Sequence, residues 1–215
     1  MNFNQLINQH KNCNFLIICA GGTLRDRIKQ VQEFIKQNNP IVIGINKMTH
    51  ITIPNYHLWT NQERYFNYGS CISTDSKLIL SSRFPIRLVT THWFSDYYQL
   101  DYDDKPGYDN KFIDGRVQGR FRTAGCLAIY LAHLMGAKEI NIVGMDGFTL
   151  HNRAELLRGH KSHHCYGMGY TDDAEWEQCK EKDEIVYKSL KDLFKQVRFK
   201  ILTPTVFSEF YSNEL

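Results

Sequence analysis

Long apolar runs are absent from this 215-residue sequence. Runs such as Phe15 to Ala20 are far shorter than the roughly 20 residues that a membrane-spanning helix needs. The opening stretch, Met1 to Lys11, is too polar for a secretory signal. We therefore expect a protein without a transmembrane segment.

Paired cysteines are also missing, because the six cysteines form no CxxC motif. Two of them, Cys19 and Cys126, fall inside segments that we expect in the core. This usage is typical of free thiols in a reducing compartment, so we expect a cytoplasmic protein. The six are Cys13, Cys19, Cys71, Cys126, Cys165 and Cys179.

A strong excess of one charge is lacking as well. The formal net charge is +3, and the basic residues are dispersed rather than gathered in a stripe, which argues against a nucleic-acid partner. Hydrophobic residues make up 42% of the chain, enough for a substantial core. At this length we expect one domain spanning residues 1–215.

The most informative stretch runs from Arg122 to Asp146. Its small residues Thr123-Ala124-Gly125 predict a helix start that another chain or a ligand can approach closely. Apolar residues then recur at helical spacing, and Gly136 suits the left-handed end of a helix. The β-branched run 140–143 predicts a buried strand, with Gly144-Met145-Asp146 at its carboxyl end. This is half of an open α/β sheet, in which ligands bind at the carboxyl ends of the strands.

A similar arrangement is predicted near the start of the chain. Asn14 to Ala20 is typical of a central parallel strand, Gly21-Gly22-Thr23 follows it, and Leu24 to Gln37 has helical periodicity. A strand, a glycine turn and a helix together direct backbone N–H groups at an anion. The pattern is not GxGxxG and has no P-loop lysine, so a plain turn is the alternative.

Asn46 follows the next predicted strand, Ile41 to Ile45. At the carboxyl end of that strand its amide can both donate and accept, which suits a ribose hydroxyl or a base edge. The alternative is that Asn46 caps the segment that follows.

The remaining segments complete an alternation of strands and helices. The stretch Asp96 to Gly115 predicts a lid or an edge hairpin with Asp114-Gly115 as its turn. The fold class is therefore α/β: a single Rossmann-like domain whose largely parallel sheet is flanked by helices. The other predicted elements are strands over Tyr56–Thr60, Lys77–Leu80, Ile86–Thr90 and Phe199–Leu202, and a helix over Ala174–Val197.

The most polar segment, Thr149 to Asp173, contains four histidines. One of them could act as a general base while an arginine or a tyrosine stabilises a leaving phosphate. A metal site is the second interpretation, although no HxH, HExxH or CxxC spacing is present. A solvated loop without a role is the third. The histidines are His151, His160, His163 and His164.

The block from Arg122 to Asp146 resembles the corresponding block of bacterial mono-domain sialyltransferases of the Campylobacter lipooligosaccharide type. In that family a small-residue helix start leads through an alanine-rich helix to a strand ending in glycine-isoleucine-aspartate. The pattern is shared by a wider group that includes archaeal 6-hydroxymethylpterin diphosphokinase-like proteins. The turn Ala20 to Leu24 matches their glycine-rich loop in position, but it lacks the asparagine and proline of that loop.

This resemblance implies a metal-independent transferase without a cofactor, a glycosyltransferase of bacterial surface-polysaccharide (lipopolysaccharide) synthesis. Its partners would be a nucleotide-sugar donor, most simply a CMP-sugar, and a saccharide acceptor; a homo-oligomer stays open. The implied nucleotide-binding residues are Gly21, Gly22, Thr23, Asn46, Thr123, Ala124, Gly125, Gly144, Met145 and Asp146. The implied catalytic residues are His163, His164, His160, Arg122, Arg120, Tyr166 and Tyr170, with His163 favoured as the base.

Two alternatives remain. A diphosphokinase of the pterin type would need ATP and Mg²⁺, with Asp146 and Asp172 as candidate metal ligands. A nucleotide-sugar-binding subunit would bind the donor without turning it over.

Overall fold

Ten strands and five α-helices make up the regular structure of this computed structural model, which describes residues 1–48, 50–93, 95–105, 107–151, 164–165 and 176–215. The strands are β1 (Asn14–Ile18), β2 (Ile41–Ile45), β3 (Tyr56–Trp59), β4 (Lys77–Ser81), β5 (Tyr98–Leu100), β6 (Tyr102–Asp104), β7 (Lys111–Ile113), β8 (Arg116–Gly119), β9 (Glu139–Val143) and β10 (Phe199–Ile201). The helices are α1 (Ile28–Asn38), α2 (Gln62–Tyr68), α3 (Ile86–Val89), α4 (Ala124–Leu134) and α5 (Trp176–Phe194). Short 3-10 helices span Phe3–Leu6, Gly22–Asp26, Gly69–Cys71 and Ser208–Phe210.

The main sheet has seven strands in the order β10-β9-β1-β2-β3-β4-β5, and every neighbouring pair is parallel. From β1 the chain adds strands in one direction as far as β5. It then returns to place β9 and β10 on the other side of β1. The strand order therefore reverses between β1 and β9, and a crevice opens at the carboxyl ends of the strands where such a reversal occurs.

Both faces of this sheet are covered, which explains why its central strands are continuous apolar runs. In β1, Phe15 and Ile17 pack into the cluster that contains most of α4. Leu16 and Ile18 pack on the other face, with Val31 of α1. All four of these β1 side chains have an exposed fraction of 0%. The α/β class with a parallel sheet flanked by helices is thereby confirmed.

A second, three-stranded sheet of order β6-β8-β7 comes from the stretch that predicted a lid or hairpin and the four residues that follow it. Strands β7 and β8 are antiparallel and joined through Asp114 and Gly115, with φ angles of 52° and 78°. Positive φ at both central residues is what a two-residue hairpin turn requires, so the predicted turn is confirmed.

Two predicted elements differ in the structure. The strand predicted over Ile86 to Thr90 is wrong, because α3 begins there after Pro85, whose carbonyl accepts hydrogen bonds from Leu88 and Val89. The helix predicted over Leu24 to Gln37 is divided into the 3-10 helix Gly22–Asp26 and α1. No helix among the described residues is both long enough and apolar enough to cross a membrane.

Candidate functional site

A cleft of about 370 Å³ lies at the carboxyl ends of β9, β1, β2 and β3. It includes the crevice between β1 and β9 where the strand order reverses, and its volume falls in the range of ligand sites. Eight segments that are separated in the sequence meet there. The lining residues are Cys19, Ala20, Gly21, Ile45, Asn46, Thr60, Asn61, Arg64, Arg122, Thr123, Ala124, Gly125, Gly144, Met145, Asp146, Gly147, Phe148, His164, Val186 and Phe207.

The amino end of α4 forms one wall of the cleft. Thr123 is the N-cap residue, and its hydroxyl accepts a hydrogen bond from the N–H of Cys126 at 3.3 Å. The N–H groups of Ala124 and Gly125, which both line the cleft, donate to no group in the described part of the chain. Unused N–H groups and the positive end of the helix dipole are features that favour an anion, so this wall is a candidate anion site.

Arg122 lies directly before this helix in a strained backbone conformation. Its φ is +56°, and the N–H of Thr123 donates to the carbonyl of Phe121 at 2.5 Å, which closes a three-residue turn around it. Left-handed backbone is unfavourable for a residue with a β-carbon. The Arg122 side chain is exposed at the cleft, and its guanidinium forms no hydrogen bond or ion pair with another described residue. A cationic side chain thus lines the same cleft as the unused N–H groups.

The glycine turn after β1, which we expected to face an external anion, contacts a carboxylate of the protein itself. Asp146, at the end of β9, accepts the backbone N–H of Thr23 at 2.8 Å and the Thr23 hydroxyl at 2.5 Å. A β-carbon on Gly21 would come within 2.4 Å of both Asp146 Oδ1 and the Gly144 carbonyl oxygen. Glycine is therefore required here by contact with the protein's own carboxylate. The α-helix expected to begin at this turn starts only at Ile28.

Asp146 is 4% exposed, and burial raises the pKa of its carboxyl group to about 6, against the lowering effect of the two Thr23 hydrogen bonds. His151 Nε2 lies 3.9 Å from Asp146 Oδ2. Both carboxylate oxygens are engaged by Thr23. Within the described ranges, no three His, Cys, Asp or Glu side chains converge as a metal-ligand set. Asp172, the other candidate ligand, lies outside those ranges.

Asn46 follows β2 with a left-handed φ of 55°, a conformation that asparagine tolerates better than most residues. Its carbonyl accepts a hydrogen bond of 2.6 Å from Nε2 of His57. Its side-chain oxygen is buried and has no hydrogen-bond partner among the described residues. The side chain therefore caps no described element, and it stands at the wall of the cleft.

His164 is the one member of the predicted catalytic histidines that the structure describes. It forms an antiparallel bridge with Gly21, and its carbonyl accepts from the guanidinium of Arg25 at 2.9 Å. Arg64 Nη2 lies 3.2 Å from His164 Nε2. Since a guanidinium can only donate, Nε2 is the acceptor and the neutral ring carries its proton on Nδ1.

Most of the residues that the sequence assigned to the site meet in the cleft. Three do not line it: Gly22, Thr23 and Arg120. Four lie outside the described residues: His160, His163, Tyr166 and Tyr170. Those that line it are Gly21, Asn46, Arg122, Thr123, Ala124, Gly125, Gly144, Met145, Asp146 and His164.

The sequence analysis missed several residues of the site. Arg64 on α2 follows the carboxyl end of β3, and that position was the available signal for it. His57 supports Asn46 from within β3 and carried no signal in the sequence. Asp183 of α5 accepts the N–H groups of Phe148 and Thr149 at 2.7 and 2.9 Å and thus fixes the chain just after Asp146.

No protein-family model matches the sequence, and no curated protein matches it. Among solved structures, the fold is similar to that of the sialyltransferase CstII from Campylobacter jejuni in complex with a substrate analogue, cytidine-5'-monophosphate. The TM-score is 0.49 at 13% sequence identity, and the similarity covers 94% of this chain and 85% of that one. That protein belongs to the group that the Arg122–Asp146 block resembles, and the likeness concerns the fold alone.

Proposed function

We propose that the protein is a glycosyltransferase that binds a nucleotide-activated sugar in this cleft and transfers the sugar to a saccharide acceptor. One observation carries the proposal. Arg122, Ala124 and Gly125 flank the N-cap residue of α4 and line the same cleft, where the two N–H groups are unused and the guanidinium is unpaired among the described residues. A phosphate group bound there would accept hydrogen bonds from them.

The same wall supports glycosyl transfer chemically. When the bond between the anomeric carbon and the phosphate oxygen breaks, its electron pair stays on the phosphate. Donors that are already oriented at this phosphate stabilise the added charge in the transition state. Arg122 and the first turn of α4 would supply this stabilisation from the protein itself.

A base is then needed for the acceptor hydroxyl, whose oxygen forms the new bond to the anomeric carbon. His164 is our candidate among the described residues, because it lines the cleft as a neutral imidazole. It would take the hydroxyl proton on Nε2 after Arg64 turns from the imidazole to the substrate. His160 and His163 remain candidates outside the described residues.

For the donor we favour a CMP-sugar in bacterial surface-polysaccharide synthesis. The support is the resemblance of the Arg122–Asp146 block to sialyltransferases. The unpartnered acceptor of Asn46 is compatible with this choice, because a cytidine nucleotide offers donors in its ribose hydroxyls and its exocyclic amine.

A calorimetric screen of CMP, UMP, UDP, GDP, ADP and ATP, each with and without Mg²⁺, tests the proposal. We expect metal-independent binding of CMP, and release of CMP from a CMP-sugar when acceptor saccharides are added. Arg122→Ala should weaken CMP binding by about 10-fold or more, as expected for a lost hydrogen bond to a charged group.

Other outcomes identify the alternatives. Tight ATP binding that requires Mg²⁺ would overturn the proposal in favour of a diphosphokinase. Binding of a sugar nucleotide without turnover over a panel of acceptors would favour a binding subunit. Absence of binding by every nucleotide would contradict all three.

A further inference from the structure

His57 is a fully buried polar residue whose contacts lead to the cleft. It lies in the middle of β3 with an exposed fraction of 0%, and its ring contacts the ring of Trp59 with centroids 5.0 Å apart. Burial lowers the pKa of its imidazole to about 4, in spite of the hydrogen bond to the Asn46 carbonyl, which raises it. The ring is therefore neutral near pH 7. Because a carbonyl can only accept, Nε2 carries the proton.

Strand β3 holds the backbone of Asn46 at two points. The N–H of Asn46 donates to the carbonyl of Leu58 at 3.3 Å, and the Asn46 carbonyl accepts from His57 at 2.6 Å. Between these two bonds the residue has its left-handed φ of 55°. Asparagine tolerates this conformation better than most residues, and the shorter of the two bonds that hold Asn46 in it is the one made by His57.

The side-chain oxygen of Asn46 lacks a hydrogen-bond donor among the described residues, and a ligand in the cleft could supply one. Its oxygen is buried at the cleft wall without a partner in the part of the chain that the structure describes. Leaving a buried acceptor unpaired is unfavourable, so such a group beside a cavity points to a donor that arrives with the ligand.

We propose that His57 is a positioning residue for the nucleotide: its N–H···O bond to the Asn46 carbonyl fixes where the Asn46 amide meets a hydrogen-bond donor of the ligand. This inference rests on the proposed function. It adds a residue that acts on nucleotide recognition through Asn46 without touching the ligand.

The test measures CMP affinity by calorimetry and the melting temperature for four variants and the wild type. His57→Leu removes the donor, and His57→Gln keeps an N–H at a similar reach. Asn46→Ala removes the amide, and the fourth variant combines it with His57→Leu. We expect His57→Leu and Asn46→Ala each to weaken CMP binding about 5- to 10-fold, and His57→Gln to restore most of the loss.

The double variant separates positioning from general damage to the fold. If His57 acts through Asn46, His57→Leu should cause no further loss of affinity in the Asn46→Ala background. His10→Leu is the matched control. His10 Nε2 forms a 2.7 Å hydrogen bond with the Tyr56 hydroxyl, at the amino end of the same strand. Its loss should lower the melting temperature and leave CMP affinity unchanged.

Two results would overturn the inference while leaving the proposed function intact. One is a folded His57→Leu variant that binds CMP as the wild type does, although Asn46→Ala weakens binding. The other needs no substitution: nitrogen NMR of wild-type His57 that finds the proton on Nδ1 shows that the bond to Asn46 does not exist. A wild-type protein that binds none of the nucleotides refutes the proposed function, and the inference with it.

Discussion

Asp146 binds Thr23 through both of its carboxylate oxygens, one to the backbone N–H at 2.8 Å and one to the hydroxyl at 2.5 Å. The two residues come from opposite sides of the point where the strand order reverses. The carboxylate therefore occupies the turn where the sequence alone predicts an external anion. The phosphate site that we propose therefore lies at the amino end of α4, where the N–H groups of Ala124 and Gly125 donate to no described group.

The first prediction concerns the pH dependence of stability. The pKa of Asp146 is about 6 in the folded protein, above its ordinary value of 3.8, so the folded state binds this proton more tightly than the unfolded state. The contribution of Asp146 to stability is therefore largest below pH 4 and is lost as the pH rises through 6. Asp146→Asn should gain on the order of 2–3 kcal/mol relative to the wild type between pH 4 and pH 7. Urea titrations at both pH values measure this difference, and an unchanged difference would contradict it.

The second prediction uses the strained backbone of Arg122. Arg122→Gly and Arg122→Ala both remove the guanidinium, so both should weaken CMP binding to a similar extent. Only glycine relieves the left-handed conformation, so the glycine variant should be more stable than the alanine variant by about 1 kcal/mol. Thermal unfolding of the two variants side by side measures this difference. Equal melting temperatures would show that the turn is not strained in solution.

The third prediction removes a single N–H group from the proposed phosphate site. Ala124 is the first residue of α4, where proline is tolerated, and Thr123 before it has φ −132° and ψ 157°, which suit a residue preceding proline. Ala124→Pro should thus fold with little loss of stability and still weaken CMP binding about 10-fold. Ala124→Ser, which adds bulk and keeps the N–H, is the control. Unchanged affinity in the proline variant would remove this N–H from the site.

The fourth prediction concerns the catalytic base. His164→Ala should reduce turnover about 10²- to 10⁴-fold, because a general base contributes this much. Donor affinity should change little, since the base acts on the acceptor. Steady-state kinetics with a CMP-sugar measure the two effects separately. If alanine at His160, His163 and His164 in turn leaves turnover intact, none of these histidines is the base.

Strand positions were largely predictable because fully buried parallel strands read as apolar runs between polar residues. Ile41 to Ile45 has the same bounds in the sequence analysis and in the structure. The error at Ile86 has a local cause. The segment is short and apolar, but Ile86 is 66% exposed, and Pro85 starts a helix there that packs Val89 inward.

Contacts within the cleft were less predictable, because they join residues that are distant in the sequence. Arg64 and His164 are 100 residues apart, and nothing in the local pattern of either one signals the other. His57 sits in an otherwise apolar strand, and only the backbone conformation of Asn46 gives it a role. The glycine turn was predicted to face an external anion, and the sequence gives no indication that the Asp146 carboxylate contacts Thr23 there.

The pairing of β1 with β9 sets an order of events in folding. Asn14 pairs with Glu139, which lies 125 positions further along the chain. Strand β1 therefore cannot pair with β9 until Val143 has been synthesised. Until then the central strand of the sheet exposes a row of unpaired backbone groups beside apolar side chains, a state that favours association between nascent chains. During expression, a chaperone that covers β1 should therefore raise the yield of folded protein.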